Sequence, residues 1–119
     1  MPFYKWKELE ADLITPKYSP ARGPFVQGER ILMVVFFYPA GGKPKPHTHP
    51  NEQIVSVIRG RGRVRIGDEE RDVGPGDVFI IPANTEHEGE NFEDQEVIVC
   101  KDIVPNWSLK EGDWEKKDV

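Results

Sequence analysis

The chain has 119 residues, enough for one domain and too few for a second independent core. Sixteen Lys and Arg against 21 Asp and Glu leave a net charge of −5. That argues against nucleic acid or an anionic membrane as the main partner, because both are bound through surplus positive charge.

Eleven glycines and eleven prolines suit short strands and tight turns better than helices. Residues 1–30 carry Pro2, Pro16, Pro20 and Pro24, so only residues 5–11 have room for a short helical turn. Met1-Pro2-Phe3-Tyr4 lacks the charged-then-apolar run of a secretory signal. From about residue 30 to residue 103 the apolar period is two. Ile31–Tyr38 reads as a buried strand of eight residues, the longest apolar run; a membrane helix needs ~20. With a single cysteine, the expected setting is soluble, reducing and cytoplasmic. Residues 39–46 form a proline-rich loop that cannot continue a sheet ladder, because proline lacks the N–H. Gln53–Arg59 and residues 61–66 are two strands broken at Gly60, with Gly67-Asp68 as a hairpin turn. Gly74-Pro75-Gly76-Asp77 turns into the strand Val78–Ile81, Pro82 breaks it, and residues 96–103 make the last strand. The expected organisation is all-β, a sandwich or small barrel over residues 31–103, with an N-terminal arm (1–30) and a C-terminal tail (104–119). Trp107 and Trp114 serve either as packing anchors for that tail or as part of a pocket lid or subunit contact.

The three histidines are the most informative residues. His47 and His49 stand at i and i+2 as the chain enters a strand, so both rings face the same way and can meet one metal ion. Gln53, Val55 and Val57 share their parity, giving polar ligands at the mouth of a cavity and apolar filling deeper in. His87 follows the break at Pro82-Ala83-Asn84, where a strand could return it to the same mouth.

This spacing resembles the cupins. Their first motif, G-x5-H-x-H-x3,4-E-x6-G, is matched by Gly41, His47, His49 and Gly60, with Gln53 in place of Glu. Their second, G-x5-P-x-G-x2-H-x3-N, is matched by Gly76, Pro82, His87 and Asn91, with Asn84 in place of Gly, another residue that tolerates left-handed backbone. The resemblance implies a double-stranded β-helix (jelly-roll) barrel, usually a homodimer, with one divalent metal inside.

Parity favours Gln53 as the fourth ligand over Glu52, which reaches inward only through a bulge; a site of three histidines alone is the other arrangement. A neutral Gln leaves the ion's charge without protein compensation, which makes a stronger Lewis acid and attracts anionic substrates. Three imidazoles and one oxygen suit Zn, Ni, Fe, Mn or Cu. Such a site supports isomerase- or lyase-type chemistry, or dioxygenase-type chemistry with a redox metal, on a small oxygenated substrate. The alternative is a non-catalytic barrel that binds a sugar or small acid. Tyr38, Asp102, Glu52 and a metal-bound hydroxide are the candidate bases, inside or near the mouth.

The run from His47 to Gln53 is similar to small cupins that open or linearise uronate sugars, which use three His and a Gln. Those proteins carry Asp-x-Phe-x-Pro-x-Arg near Pro105. Here the run is Lys101-Asp102-Ile103-Val104-Pro105-Asn106-Trp107, with the Asp displaced by one residue and Ile103 and Trp107 replacing Phe and Arg. The remaining charged residues read as surface. Arg61, Arg63 and Arg65 form a solvated face opposite Glu70 and Asp72, and Glu86 and Glu88 point away from the cavity. Cys100 reads as a small core residue.

Overall fold

In the computed structural model the described residues are 2–9, 12–13 and 22–105. Alternation along Ile31–Tyr38 sets the architecture: Leu32, Val34 and Phe36 are buried, while Ile31, Met33 and Phe37 are exposed. One face of this strand therefore belongs to a core. In chain order the strands are β1 (Asp12–Leu13), β2 (Arg22–Gly23), β3 (Phe25–Gln27), β4 (Ile31–Tyr38) and β5 (Gln53–Arg59). They continue with β6 (Gly62–Ile66), β7 (Glu69–Val73), β8 (Val78–Ile81), β9 (His87–Asn91) and β10 (Gln95–Asp102).

One sheet runs β1-β2-β4-β10-β5-β8, with β3 also pairing β4, and a smaller sheet runs β7-β6-β9. The registers between paired strands are antiparallel. This is the jelly-roll arrangement of a double-stranded β-helix. Leu32, Val34, Phe36, Val55, Val57, Ile81, Val97 and Val99, all from the larger sheet, make the core. Ile66 and Val73 close on it from the smaller one. Among the described residues no helix is long and apolar enough to cross a membrane.

The strands expected at β4, β5 and β8 stand where expected, β6 begins one residue later, and β10 is shifted by one. Three features differ from the sequence reading. β7 carries no apolar alternation, since Glu69 to Asp72 are all exposed, so the Gly67-Asp68 turn alone announces it and its bounds come from the structure. The arm adds β1, β2 and β3 to the larger sheet, and its helical turn is confined to Trp6–Glu8. Cys100 is half-buried on the outer side of β10 rather than in the core, since Val97 and Val99 take the inner positions. Trp107 and Trp114 lie outside the described residues.

The turns explain the motif glycines. Gly41, Gly60 and Gly76 have φ of 81°, 84° and 92°, and Asn84 has φ 58°. All four take the left-handed backbone that a Cβ disfavours. Gly60 is also sterically locked, because an added Cβ would stand 2.1 Å from the Asp94 carbonyl oxygen, whereas at Gly41 it would meet nothing within 4 Å. Gly41→Ala should therefore lose about 1 kcal/mol from backbone strain alone. Gly60→Ala should lose several-fold more, as overlap adds to strain. Urea unfolding of both variants checks the ordering, and equal losses would show that overlap at Gly60 is relieved without cost.

Candidate metal centre

The loop before β5 and the start of β9 are joined by backbone pairing. His47 N–H donates to the His87 carbonyl (3.1 Å), and His87 N–H donates back to that of His47 (3.0 Å). The proline-rich loop thus runs beside β9 after all. Gly89 N–H reaches the Pro44 carbonyl, Asn91 N–H reaches that of Gly42, and Gly41 N–H reaches that of Asn91. Pro44 serves only as an acceptor, so its missing N–H leaves no gap in the pairing. Farther along, Asn84 N–H donates to the His49 carbonyl, fixing the second histidine against the turn that precedes β9.

This backbone brings the three rings together. Ring centres lie 4.3 Å apart for His47 and His87, 4.8 Å for His49 and His87, and 5.8 Å for His47 and His49. One nitrogen from each ring can be chosen so that all three lie within 4.8 Å of one another. The Nδ1 of His47 is 2.6 Å from the Lys45 carbonyl oxygen, and that of His87 is 2.9 Å from the Thr85 carbonyl oxygen. A carbonyl only accepts, so both Nδ1 atoms carry the proton, which in the neutral ring leaves the lone pair on Nε2. Burial is the main reason that His87 is lowered from 6.5 to about 4, followed by His47. Burial likewise lowers His49 to about 2, with Lys101 and the other two rings adding to it. Both rings are therefore neutral at ordinary pH, the form in which an imidazole can offer a lone pair to a metal.

Gln53 lies in the wall of the same cavity, 8 % exposed. Its Oε1 is buried and has no hydrogen-bond partner among the described residues. An orphaned amide oxygen is costly in an apolar interior unless a donor or a cation meets it. Three imidazoles and this oxygen form a donor set that fits a divalent ion, and the triad is a metal-binding arrangement. Among the described residues no carboxylate or thiolate joins the cluster.

The cavity lies between the two sheets, about 90 Å³ in volume, with Phe36, Val55, Val57, Val97 and Val99 among its apolar walls. Tyr38 lines it. Glu52 does not; its side chain is exposed. Asp102 is a correction. It is exposed on the outer side of β10, where its Oδ1 accepts the Glu52 backbone N–H at 2.7 Å, so the structure does not bring it into the cavity. Lys101 takes the inner position instead, 5 % exposed. The signal that would have found it is parity with Val97 and Val99, since neighbours on a strand face opposite ways. At the rim, Arg63 bonds Asp72 (2.8 Å) and Arg65 bonds Glu88 (2.6 Å) and Glu86 (2.8 Å). Glu88 therefore borders the cavity rather than lying wholly outside it.

The family model of the cupin domain matches residues 34–103. An uncharacterized protein of Methanocaldococcus jannaschii, MJ1618, is 37% identical over 67 residues, which is 56% of this chain and 54% of that protein. The chain thus spans about half the length of that curated relative. The structure of KdgF from a Halomonas species superposes with a TM-score of 0.74 at 26% identity, covering 86% of this chain and 93% of that one. The Bacillus subtilis oxalate decarboxylase, studied for its Mn(II) centres, superposes with a TM-score of 0.72 at 21% identity. That match covers 98% of this chain and 34% of the decarboxylase, and it is a likeness of fold.

Burial lowers Lys101 from 10.5 to about 7. Below about pH 7 both folded and unfolded chains hold that proton, and the full penalty of a buried charge is present. Between about 7 and 10.5 only the unfolded chain holds it, so stability rises with pH as the penalty is relieved. Denaturant titrations of the metal-free protein between pH 7 and pH 10 should show this rise, and Lys101→Met should lack it. Parallel pH courses would show that no buried ammonium is present.

Proposed function

The chain belongs to the cupin family, and we propose that it is a metal-dependent enzyme acting on a small oxygenated molecule, of isomerase or lyase type. The observation that supports this is the convergence of His47, His49 and His87 in one cavity with the unpartnered carbonyl of Gln53. A divalent ion held there would act as a Lewis acid, polarising a substrate carbonyl or enolate oxygen. The Lys45 and Thr85 carbonyls hold two of the rings in the ligating tautomer. Phe36 and the paired valines of β5 and β10 exclude water and strengthen electrostatic contacts inside. Tyr38 in the cavity wall is the proposed proton carrier, because its phenolic hydroxyl can both give and accept a proton. Neutral Gln53 favours this Lewis-acid reading over dioxygenase-type chemistry, since a carboxylate would better offset a higher oxidation state.

The purified protein should carry about one equivalent of Zn, Ni, Fe, Mn or Cu by elemental analysis. His49→Ala should lose it and still fold, because the core cluster is apolar and contains no histidine. Gln53→Glu should hold the ion more tightly and turn over more slowly, as its charge weakens the Lewis acid. Unchanged metal content in His49→Ala would refute the ligand set. Absence of any product from uronates, 1,3-diketones and catechol-type compounds, with each metal reconstituted, would favour the non-catalytic binding barrel. Oxygen consumption with a redox metal would favour the dioxygenase.

The proposed assembly is a homodimer. Across the outer face of the larger sheet, Met33 stands opposite Cys100, Cys100 opposite Ile54, and Ile54 opposite Ile80, an uncharged row over four strands. Ile31, Phe37, Ile58 and Val78 extend this exposed apolar surface. A two-fold contact places the same patch on both sides, and this surface can pair with itself. Sedimentation should show a dimer that Ile54→Asp converts to a folded monomer; a monomeric parent protein would overturn the assembly.

A further inference from the structure

Asn91 closes the second histidine motif but takes no part in the donor set. It ends β9 on the same inner row as His87, about 13 Å of strand further along. Asn91 and Gln95 are 4 % and 6 % exposed, and both line the cavity. The Asn91 Nδ2 donates to the Gln95 Oε1 at 2.6 Å, and the Gln95 Nε2 reaches the Gly60 carbonyl at the long distance of 3.5 Å. A carbonyl only accepts, so Gly60 fixes which way both amides are turned; the reverse would set the Gln95 oxygen against the Gly60 oxygen. The Asn91 Oδ1 is left over. It is buried and has no hydrogen-bond partner among the described residues.

An amide oxygen without a donor is costly in such surroundings, and the valines of β5 and β10 that wall the cavity offer none. A ligand hydroxyl would supply the missing proton. We propose that Asn91 forms a hydroxyl-accepting subsite at the end of the cavity away from the histidines, selecting ligands that carry an O–H there over those whose oxygen bears no hydrogen. The inference rests on the reading of this cavity as the ligand site and deepens it. A cation held by the histidines takes a lone pair, whereas Asn91 takes a proton, so the two ends orient a ligand in one direction. A neutral hydroxyl fits better than an ammonium, which would need further acceptors in an apolar wall.

The test uses 1-butanol and methyl propyl ether, uncharged isomers that differ in whether the oxygen carries a proton. Titrated into the protein as purified and followed by NMR, both should shift the Val55 and Val57 methyl signals. Butanol should bind about tenfold more tightly, the scale of one hydrogen bond to an otherwise orphaned acceptor. The Asn91 Cγ resonance should move with butanol and hardly move with the ether. Asn91→Leu combined with Gln95→Met removes both amides, so that Gln95 does not inherit the role; this double variant should keep the parent's metal content and bind the two isomers equally. Equal affinities in the parent protein, or a stationary Cγ signal under butanol, would mean that a trapped water already satisfies the oxygen, and would overturn the inference. So would a butanol preference that survives in the folded double variant. The parent readings decide the matter even where the double variant does not fold. Valine signals that respond to neither isomer would overturn the cavity as the ligand site, and this subsite with it. A metal-loaded protein that binds both isomers alike sinks only the Asn91 subsite.

Discussion

The site depends on a short piece of backbone pairing, the two hydrogen bonds exchanged by residues 47 and 87. Neither segment holds its histidine in place by itself. The stretch before β5 is a proline-rich loop, and β9 is a five-residue strand of the smaller sheet. Closing one against the other sets the ring spacing. The Nδ1 bonds to Lys45 and Thr85, each reaching back two residues, then orient two of the rings. Backbone geometry therefore determines where a ligand set can form, and local carbonyls determine which nitrogen is presented.

Charge inside the barrel follows from the same inner rows. Among the described residues no carboxylate joins the histidine cluster, Gln53 is neutral, and Lys101 lines the same cavity. Arginines of β6 hold Asp72, Glu86 and Glu88 in exposed or half-exposed pairs worth little to stability. The outer surface of the larger sheet exposes Ile31, Met33, Phe37, Ile54, Ile58, Val78 and Ile80.

Much of the barrel was legible because it obeys local rules. Apolar runs located β4 and β8, alternation located β5 and β6, and glycine or proline marked their ends. Gly41, Gly60, Gly76 and Asn84 occupy the left-handed positions that their residue types suggest. The misses have equally local causes. β7 carries no apolar alternation, because it forms an edge of the smaller sheet with four exposed polar residues. The arm strands are two or three residues long, too short for any period to show.

The sequence alone determined that His47, His49, Gln53 and His87 were the residues to watch, because chemical type and spacing are properties of the chain. It also determined that short alternating strands would fold around an apolar core. Parity puts Lys101 on the face of Val97 and Val99 and Asp102 on the other, but only the tertiary structure decided which face turns inward. A strand's two faces are equivalent until packing buries one of them, and a single step in register exchanges them. Convergence of the two histidine segments was likewise decided in three dimensions, since it rests on hydrogen bonds between stretches that only the closed barrel brings side by side.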